Sequence, residues 1–162
     1  MFSSLCQAFC MADYTANQVA DYFLCFCREH GDFLTNLKLQ KLVYYAQAWH
    51  LALRDKPLFD ERIEAWVHGP VTKSVYRRFS NGGSNPITKE VNKPNFDNKT
   101  QEFLDKIFSV FGRFSAWELE QMTHMERPWI LARDGAPVDE PGSNTISTEE
   151  MKSFYRKLAR SK

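Results

Sequence analysis

The chain has 162 residues, which is enough for one domain with a substantial core and few for two. Its 21 lysines and arginines nearly balance 20 aspartates and glutamates. This balance excludes the strong field of one sign with which proteins attract nucleic acid or an anionic membrane surface. Aromatic residues make up 14% of the chain, which predicts a tightly packed core, an adhesive partner surface, or both.

The sequence predicts a cytoplasmic protein with one domain, residues 11–162. Met1–Cys10 lacks the basic start and continuous apolar centre of a secretory signal, and no apolar run approaches the ~20 residues of a membrane helix. We interpret this segment as an upstream translation start, an extension or a frayed helix, outside the fold.

The four cysteines include no C-x-x-C pair, which favours free thiols over a disulfide or a metal site.

Two helices are predicted in the first third of the chain. A capping box opens the first, which covers about residues 15–29. The second, Leu37–Leu53, contains no proline or glycine, and only Gln40, Gln47 and Arg54 keep to a narrow polar line along it. A helix with so little polar surface is mostly surrounded by other elements, so we predict that it is the buried central helix.

Two polar side chains, Lys41 and His50, fall among apolar positions of this central helix. One interpretation is a core histidine bonded to a backbone carbonyl and a lysine whose amine reaches out to solvent. The other places the Lys41 charge near the helix N-terminus, where the dipole already favours an anion such as a carboxylate. The sequence leaves both interpretations open.

Between residues 62 and 79 the sequence predicts an extended segment, a turn and a short helix. Arg62–His68 alternates loosely between apolar and polar residues, which indicates a short strand or an extended segment. Gly69 and Pro70 are expected to turn the chain. Because proline suits the first helical turn, Pro70 is expected to lead into a helix over Val71–Phe79.

The remaining chain predicts two long loops and further helices. Ser80–Asn95 and Asp134–Asn144 are rich in glycine, proline and asparagine, which is typical of surface loops. Pro128 is expected to end the helix before it. One helix is predicted over Asn98–Phe111. A second runs from a capping box at Ser115 to about Arg127, with at most one more turn over Trp129–Arg133. A third begins at a capping box at Ser147. The predicted fold is mainly α, a compact single domain around the buried central helix with one short extended segment.

No catalytic motif and no clear nucleic-acid motif is present. There is no phosphate-cradling glycine loop, no H-E-x-x-H and no G-x-S-x-G. His124 and Glu126 project about 200° apart around a helix, which is poor geometry for sharing a metal. Lys73, Arg77 and Arg78 lie in one short helix, but no first helix of a helix-turn-helix precedes it. We therefore expect no catalytic residues, no metal and no cofactor, and we regard an enzyme or a DNA-binding regulator as less favoured.

Two signatures combine an aromatic residue, a histidine and a proline at an element boundary. One is Trp66–Val71, WVHGPV, and the other is Thr123–Trp129, THMERPW. The structural interpretation is that Gly69, Pro70 and Pro128 fix chain corners. In this interpretation Trp66 and Trp129 fill the core.

Together with the central helix, these signatures resemble the Panacea antitoxin domain family, also called SocA-like. The resemblance extends from about Ala16 to Leu158 and rests on the joint order of its motifs. Met1–Cys10 has no counterpart, and Arg127 stands where a small residue is common. The motifs in this sequence are LQKLVYYA from Leu39, PLFD from Pro57, EAW from Glu64, GPV from Gly69, FG at Phe111, THMERPW from Thr123 and IS at Ile146.

The resemblance implies an antitoxin of a bacterial or prophage toxin–antitoxin pair that neutralises a cognate protein toxin by direct binding. One branch of the family instead delivers its toxin to a cytoplasmic AAA+ protease. We expect the partner-binding surface to be one polar-aromatic patch, because its lysine and histidines break the apolar pattern of their segments. The patch comprises Lys41, Tyr45, His68, Tyr76 and His124. The rival interpretation is that these side chains tie helix ends together inside the domain.

Overall fold

A computed structural model describes residues 11–162, and the predicted extension Met1–Cys10 lies outside the described residues. The fold is mainly α, as predicted. The helices are α1 (Ala16–Glu29), α2 (Asn36–Arg54), α3 (Lys73–Phe79), α4 (Asn98–Phe111), α5 (Ala116–His124), α6 (Arg127–Arg133) and α7 (Thr148–Arg160), and the strands are β1 (Glu64–Trp66) and β2 (Gly69–Val71). A single 3-10 turn, Ser80–Gly82, follows α3. Across residues 11–162, no helix combines the length and the apolar composition that crossing a membrane requires.

Side-chain caps begin the helices at the positions that the sequence indicated. Thr15 and Ser115 each form the predicted capping box. At the third predicted box, the Ser147 hydroxyl accepts a hydrogen bond from the Glu150 backbone N–H, but the Glu150 carboxylate pairs with Arg127 at 3.3 Å. The start of α7 is therefore capped from one side, and its acidic residue connects it to α6 instead.

The central helix α2 contacts α1, α3, α4, α5, α7 and β2. Fourteen of its nineteen residues are buried. The predicted polar line is wrong, because Gln40 and Gln47 are both 2% exposed whereas Leu53 is 61% exposed. The two amides are satisfied by backbone groups elsewhere in the chain: Gln40 Oε1 accepts from the Thr72 N–H, and Gln47 Nε2 donates to the Phe59 carbonyl.

Residues 64–71 form a β-hairpin with a two-residue turn. β1 and β2 pair antiparallel, with Ala65 opposite Pro70. The prediction that Pro70 leads directly into a helix is wrong, since it lies in β2 and α3 begins only at Lys73. Proline fits this position because Ala65 turns its own N–H outward to the Asn144 carbonyl at 2.8 Å, so this pair requires no N–H from residue 70.

Pro128 begins a helix rather than ending one. α5 ends at His124, and Pro128 lies in the first turn of α6, which continues for seven residues to Arg133. The prediction of at most one more turn is therefore wrong. A proline is tolerated there because the first N–H groups of a helix have no partner inside it.

The two predicted long loops are confirmed, and backbone hydrogen bonds hold each of them to the core. Ile87 donates its N–H to the Leu34 carbonyl, and Ile146 donates to the Ile63 carbonyl beside β1, each at 2.8 Å. Both isoleucine side chains are buried. The second anchor places residues 141–143 beside the hairpin.

Candidate functional site

A groove of about 790 Å³ lies between the start of α2, the hairpin and the loop after α3. Its volume is within the ~300–1,000 Å³ that ligand-binding clefts commonly have. We call it the hairpin groove. It is lined by Asn36, Leu37, Gln40, Trp66, Val67, His68, Val71, Tyr76, Ser80, Gly83, Ser84, Glu120, Pro141, Gly142 and Ser143.

One wall of the hairpin groove is aromatic. The Trp66 and Tyr76 rings meet edge to face with centroids 4.9 Å apart. Trp66 Nε1 donates to Glu64 Oε2 at 2.7 Å, and the buried Glu64 carboxylate also lies 3.6 Å from Lys73 Nζ. These contacts fix the Trp66 ring, while the Tyr76 side chain stays 36% exposed. The wall is therefore a rigid apolar surface that a partner can reach.

The opposite end of the hairpin groove is polar. His68, at the hairpin turn, places Nδ1 3.0 Å from Oε1 of Glu120 on α5. The His68 side chain is 71% exposed and the Glu120 side chain 13% exposed. Nothing in the sequence singled out Glu120, because an acid on the polar side of a short helix carries no signal of its own. Only the packing of α5 against β2 brings it into the groove.

Lys41 lies directly behind this end of the groove but is fully buried. Its Nζ donates to the Pro70 carbonyl at 3.3 Å. Burial lowers the pKa of Lys41 to about 7, against the opposing influence of the Glu120 carboxylate. The amine does not reach out to solvent, which rules out one of the two interpretations of Lys41, and the expectation that Lys41 lies on an exposed patch is wrong because the side chain is fully buried. β2 covers it, because Gly69 packs directly on the lysine side chain.

Replacing Gly69 by alanine should destabilise the fold by about 2–3 kcal/mol, because two effects add. Gly69 has φ +98°, and a Cβ there would lie 2.6 Å from Lys41 Cε and 2.8 Å from Thr123 Oγ1. Urea unfolding of Gly69→Ala measures the loss. Gly82→Ala is the control, because no atom lies within 4 Å of its Cβ position. Equal unfolding midpoints for the two variants would contradict the close packing of β2 on Lys41.

Tyr45 belongs to a separate buried cluster. It is 1% exposed, and its hydroxyl donates to Glu126 Oε1 at 2.8 Å. The Tyr155 hydroxyl donates to the other oxygen of the same carboxylate. Burial raises the pKa of Glu126 to about 7, partly opposed by these hydrogen bonds. The expectation that Tyr45 lies on the partner surface is wrong, since its ring is stacked on Phe111 inside the core.

His124 is half-buried, and its ring stacks on Trp129 with centroids 4.2 Å apart. Burial lowers the pKa of His124, and the Glu120 carboxylate opposes that shift. Its Nε2 is buried, and a hydrogen bond between the His124 ring and the Val67 backbone also opposes the shift. The charges of Lys41 and His68 also act on His124. The structure thus gathers three of the expected residues around Glu120, but exposes only His68.

The five residues that were expected to fix chain corners or to fill the core differ in how deeply they are buried. Trp129 is 5% exposed, and its Nε1 donates to the Trp66 carbonyl at 3.0 Å. Gly69, Pro70 and Pro128 are also buried. Trp66 is half-buried, because one side packs on the fold and the other lines the hairpin groove. Of the five residues expected to form the patch, His68 and Tyr76 line the groove.

Comparison with known proteins gives two matches. The family described as "Antitoxin SocA-like, Panacea domain" matches residues 39–130. The protein named Antitoxin SocA, from Caulobacter vibrioides (strain NA1000 / CB15N), is 33% identical over 124 residues, which are 68% of this chain and 63% of that protein. The chain thus spans less than two thirds of the length of this relative. No solved structure matches the chain.

Proposed function

The chain belongs to the SocA-like antitoxin family with a Panacea domain, and we propose that it is an antitoxin that neutralises a cognate protein toxin by direct binding. Its place is the cytoplasm, in a bacterial or prophage toxin–antitoxin pair. It acts as a binding protein and not as an enzyme. Family membership supports this function, and the hairpin groove supports direct binding as the mechanism.

The hairpin groove has the properties of a protein-binding surface. Its aromatic wall, Trp66 and Tyr76, offers residue types that often dominate binding energy at interfaces. His68 and Glu120 supply polar groups at the other end, where they can fix the orientation of a bound segment. The matched residues 39–130 include the hairpin, α3 and α5, which carry both ends of the groove. We therefore assign toxin binding to this groove, with His68 and Tyr76 as contact residues.

Tyr76→Ala should abolish protection against the toxin while leaving the fold intact. The side chain is 36% exposed, and loss of an aromatic contact at the centre of an interface commonly weakens binding at least ~30-fold. The toxin for this test is the product of a neighbouring gene that arrests growth when expressed alone. Growth rescue, affinity and melting temperature are measured for wild type, Tyr76→Ala and His68→Ala.

Trp117→Ala is the matched control, because Trp117 is an aromatic residue that is 67% exposed and does not line the groove. We expect this variant to rescue growth like the wild type. Full rescue by Tyr76→Ala and His68→Ala would remove the hairpin groove from the interface. Loss of rescue by Trp117→Ala alone would move the interface to another surface of α5.

The half-life of the toxin separates direct neutralisation from delivery to a protease. Neutralisation by binding predicts an inactive toxin whose half-life is unchanged or longer when the antitoxin is present. Delivery to a cytoplasmic AAA+ protease predicts a shorter half-life that recovers when the protease is deleted. A pulse-chase measurement in cells with and without the antitoxin distinguishes the two mechanisms.

A further inference from the structure

The hairpin groove contains one carboxylate, and the only basic group in its lining is the imidazole of His68. Among its lining residues Glu120 is the only acid, and neither lysine nor arginine is present. Glu120 Oε1 is paired with His68, whereas Oε2 accepts no hydrogen bond from the described residues. The Glu120 side chain is only 13% exposed, and it lines the groove. A largely desolvated acceptor at the end of a cleft favours a positively charged group.

The nearby lysines make no hydrogen bond to Glu120, although the charge of Lys41 and the Glu120 carboxylate attract each other. The Lys41 amine is held under β2 by the Pro70 carbonyl and makes no hydrogen bond to Glu120. Lys73 lies 3.6 Å from the buried Glu64 carboxylate, at the outer side of the aromatic wall. The remaining partner, His68, is 71% exposed, so a ligand can displace it or bind beside it. Glu120 therefore retains an acceptor site that faces the groove.

The other surfaces of the groove indicate which cation fits. The Trp66 and Tyr76 rings offer aromatic surface on which a guanidinium or the alkyl stem of a lysine can pack. The rim is formed by small residues of two loops, among them Gly83, Ser84 and Gly142, which leave backbone groups accessible. An extended polypeptide can hydrogen-bond to such backbone groups, and the groove volume of about 790 Å³ holds several of its side chains.

We propose that the occupant of the hairpin groove is an extended segment of the toxin whose arginine or lysine side chain packs along Trp66 and Tyr76 and donates to Glu120. This inference rests on the proposed antitoxin function and names the chemistry of the toxin segment. Charge complementarity carries it, since the groove presents one largely buried acid and neither lysine nor arginine, and the His68 imidazole beside that acid is 71% exposed and can be displaced. Glu120 then determines which toxin segments are accepted.

The first test compares the affinities of wild type and Glu120→Gln for the neighbouring-gene toxin by calorimetry. The substitution preserves the shape of the side chain and removes its charge, so affinity should fall at least ~30-fold. Glu102→Gln is the control, because Glu102 is an exposed acid on α4 that does not line the groove. Melting temperatures confirm that each variant is folded. Wild-type affinity in a folded Glu120→Gln would overturn the proposal.

The second test leaves the antitoxin unchanged and replaces each arginine and lysine of the toxin by alanine. One of these variants should bind wild-type antitoxin at least ~30-fold more weakly, and its effect should shrink to less than threefold in the Glu120→Gln background. If no single basic residue has this effect, the proposal is wrong even where Glu120→Gln fails to fold. A wild-type chain that neither binds nor neutralises the toxin would instead refute the antitoxin function itself.

Discussion

The free energy of unfolding of the wild-type protein should rise by about 5 kcal/mol between pH 7 and pH 10.5 because of Lys41, and replacing Lys41 by methionine should remove this rise. Burial holds the pKa of Lys41 at about 7 in the folded state, whereas the ordinary pKa of a lysine that is not buried is 10.5. Between these values the unfolded chain binds more protons than the folded one, so raising the pH stabilises the fold. Below pH 7 both states are charged, and the contribution no longer changes with pH.

We also expect Lys41→Met to be more stable than the wild type at pH 6–7, by about 2–4 kcal/mol. Methionine is similar in length to lysine and carries no charge that must be buried. Avoiding the cost of burying that charge outweighs the loss of one hydrogen bond to the Pro70 carbonyl. Urea unfolding from pH 6 to pH 10 measures both effects. Lys106→Met, an exposed lysine on α4, is the control and should keep the wild-type slope. Parallel pH profiles for wild type and Lys41→Met would show that the Lys41 amine is hydrated in the folded state.

Replacing Trp129 by alanine should lower the free energy of unfolding by about 3–5 kcal/mol. The ring is 5% exposed, stacks on His124 and donates its N–H to the Trp66 carbonyl. Removing it leaves a cavity where α6 packs behind the hairpin. Because a domain of this kind is stable by only ~5–15 kcal/mol, the variant should lose a large share of its stability.

Two comparisons isolate the cause of this loss. Trp129→Phe keeps most of the ring but not the N–H, so it should lose less than the alanine variant. Trp117→Ala removes an aromatic side chain that is 67% exposed and should change stability by less than ~0.5 kcal/mol. Chemical denaturation gives the three values. A Trp129→Ala midpoint equal to that of Trp117→Ala would mean that the Trp129 ring is not part of the core.

The helices could be predicted from the sequence because their signals are local. The caps at Thr15 and Ser115 act within three residues, and the apolar pattern of Asn98–Phe111 repeats within each turn. Local signals gave wrong predictions where the same pattern of residues occurs in two different kinds of structure. Pro70 and Pro128 both satisfied the rule that proline marks a helix boundary, but one lies in a strand and the other inside a helix start.

The candidate site was predicted only in part for a related reason. His68 and Tyr76 were found, because His68 lies in the WVHGPV signature and Tyr76 follows it closely, and both line the hairpin groove. Lys41 and Tyr45 were expected on the surface, but the elements that cover them are distant in the sequence. Pro70 is 29 residues from the lysine that it covers, and Glu126 is 81 residues from the tyrosine that it binds.

Sequence alone was enough to predict the helical class of the fold, the starts of its capped helices and the central position of α2. These follow from apolar periodicity and from side-chain caps, which depend on neighbouring residues alone. The burial of Gln40, Gln47 and Lys41 and the position of Glu120 in the groove depend instead on how distant elements pack together. The physical reason is that a polar group is stable in the core when a distant backbone group satisfies its hydrogen bond. Which distant group arrives there depends on how all the helices pack.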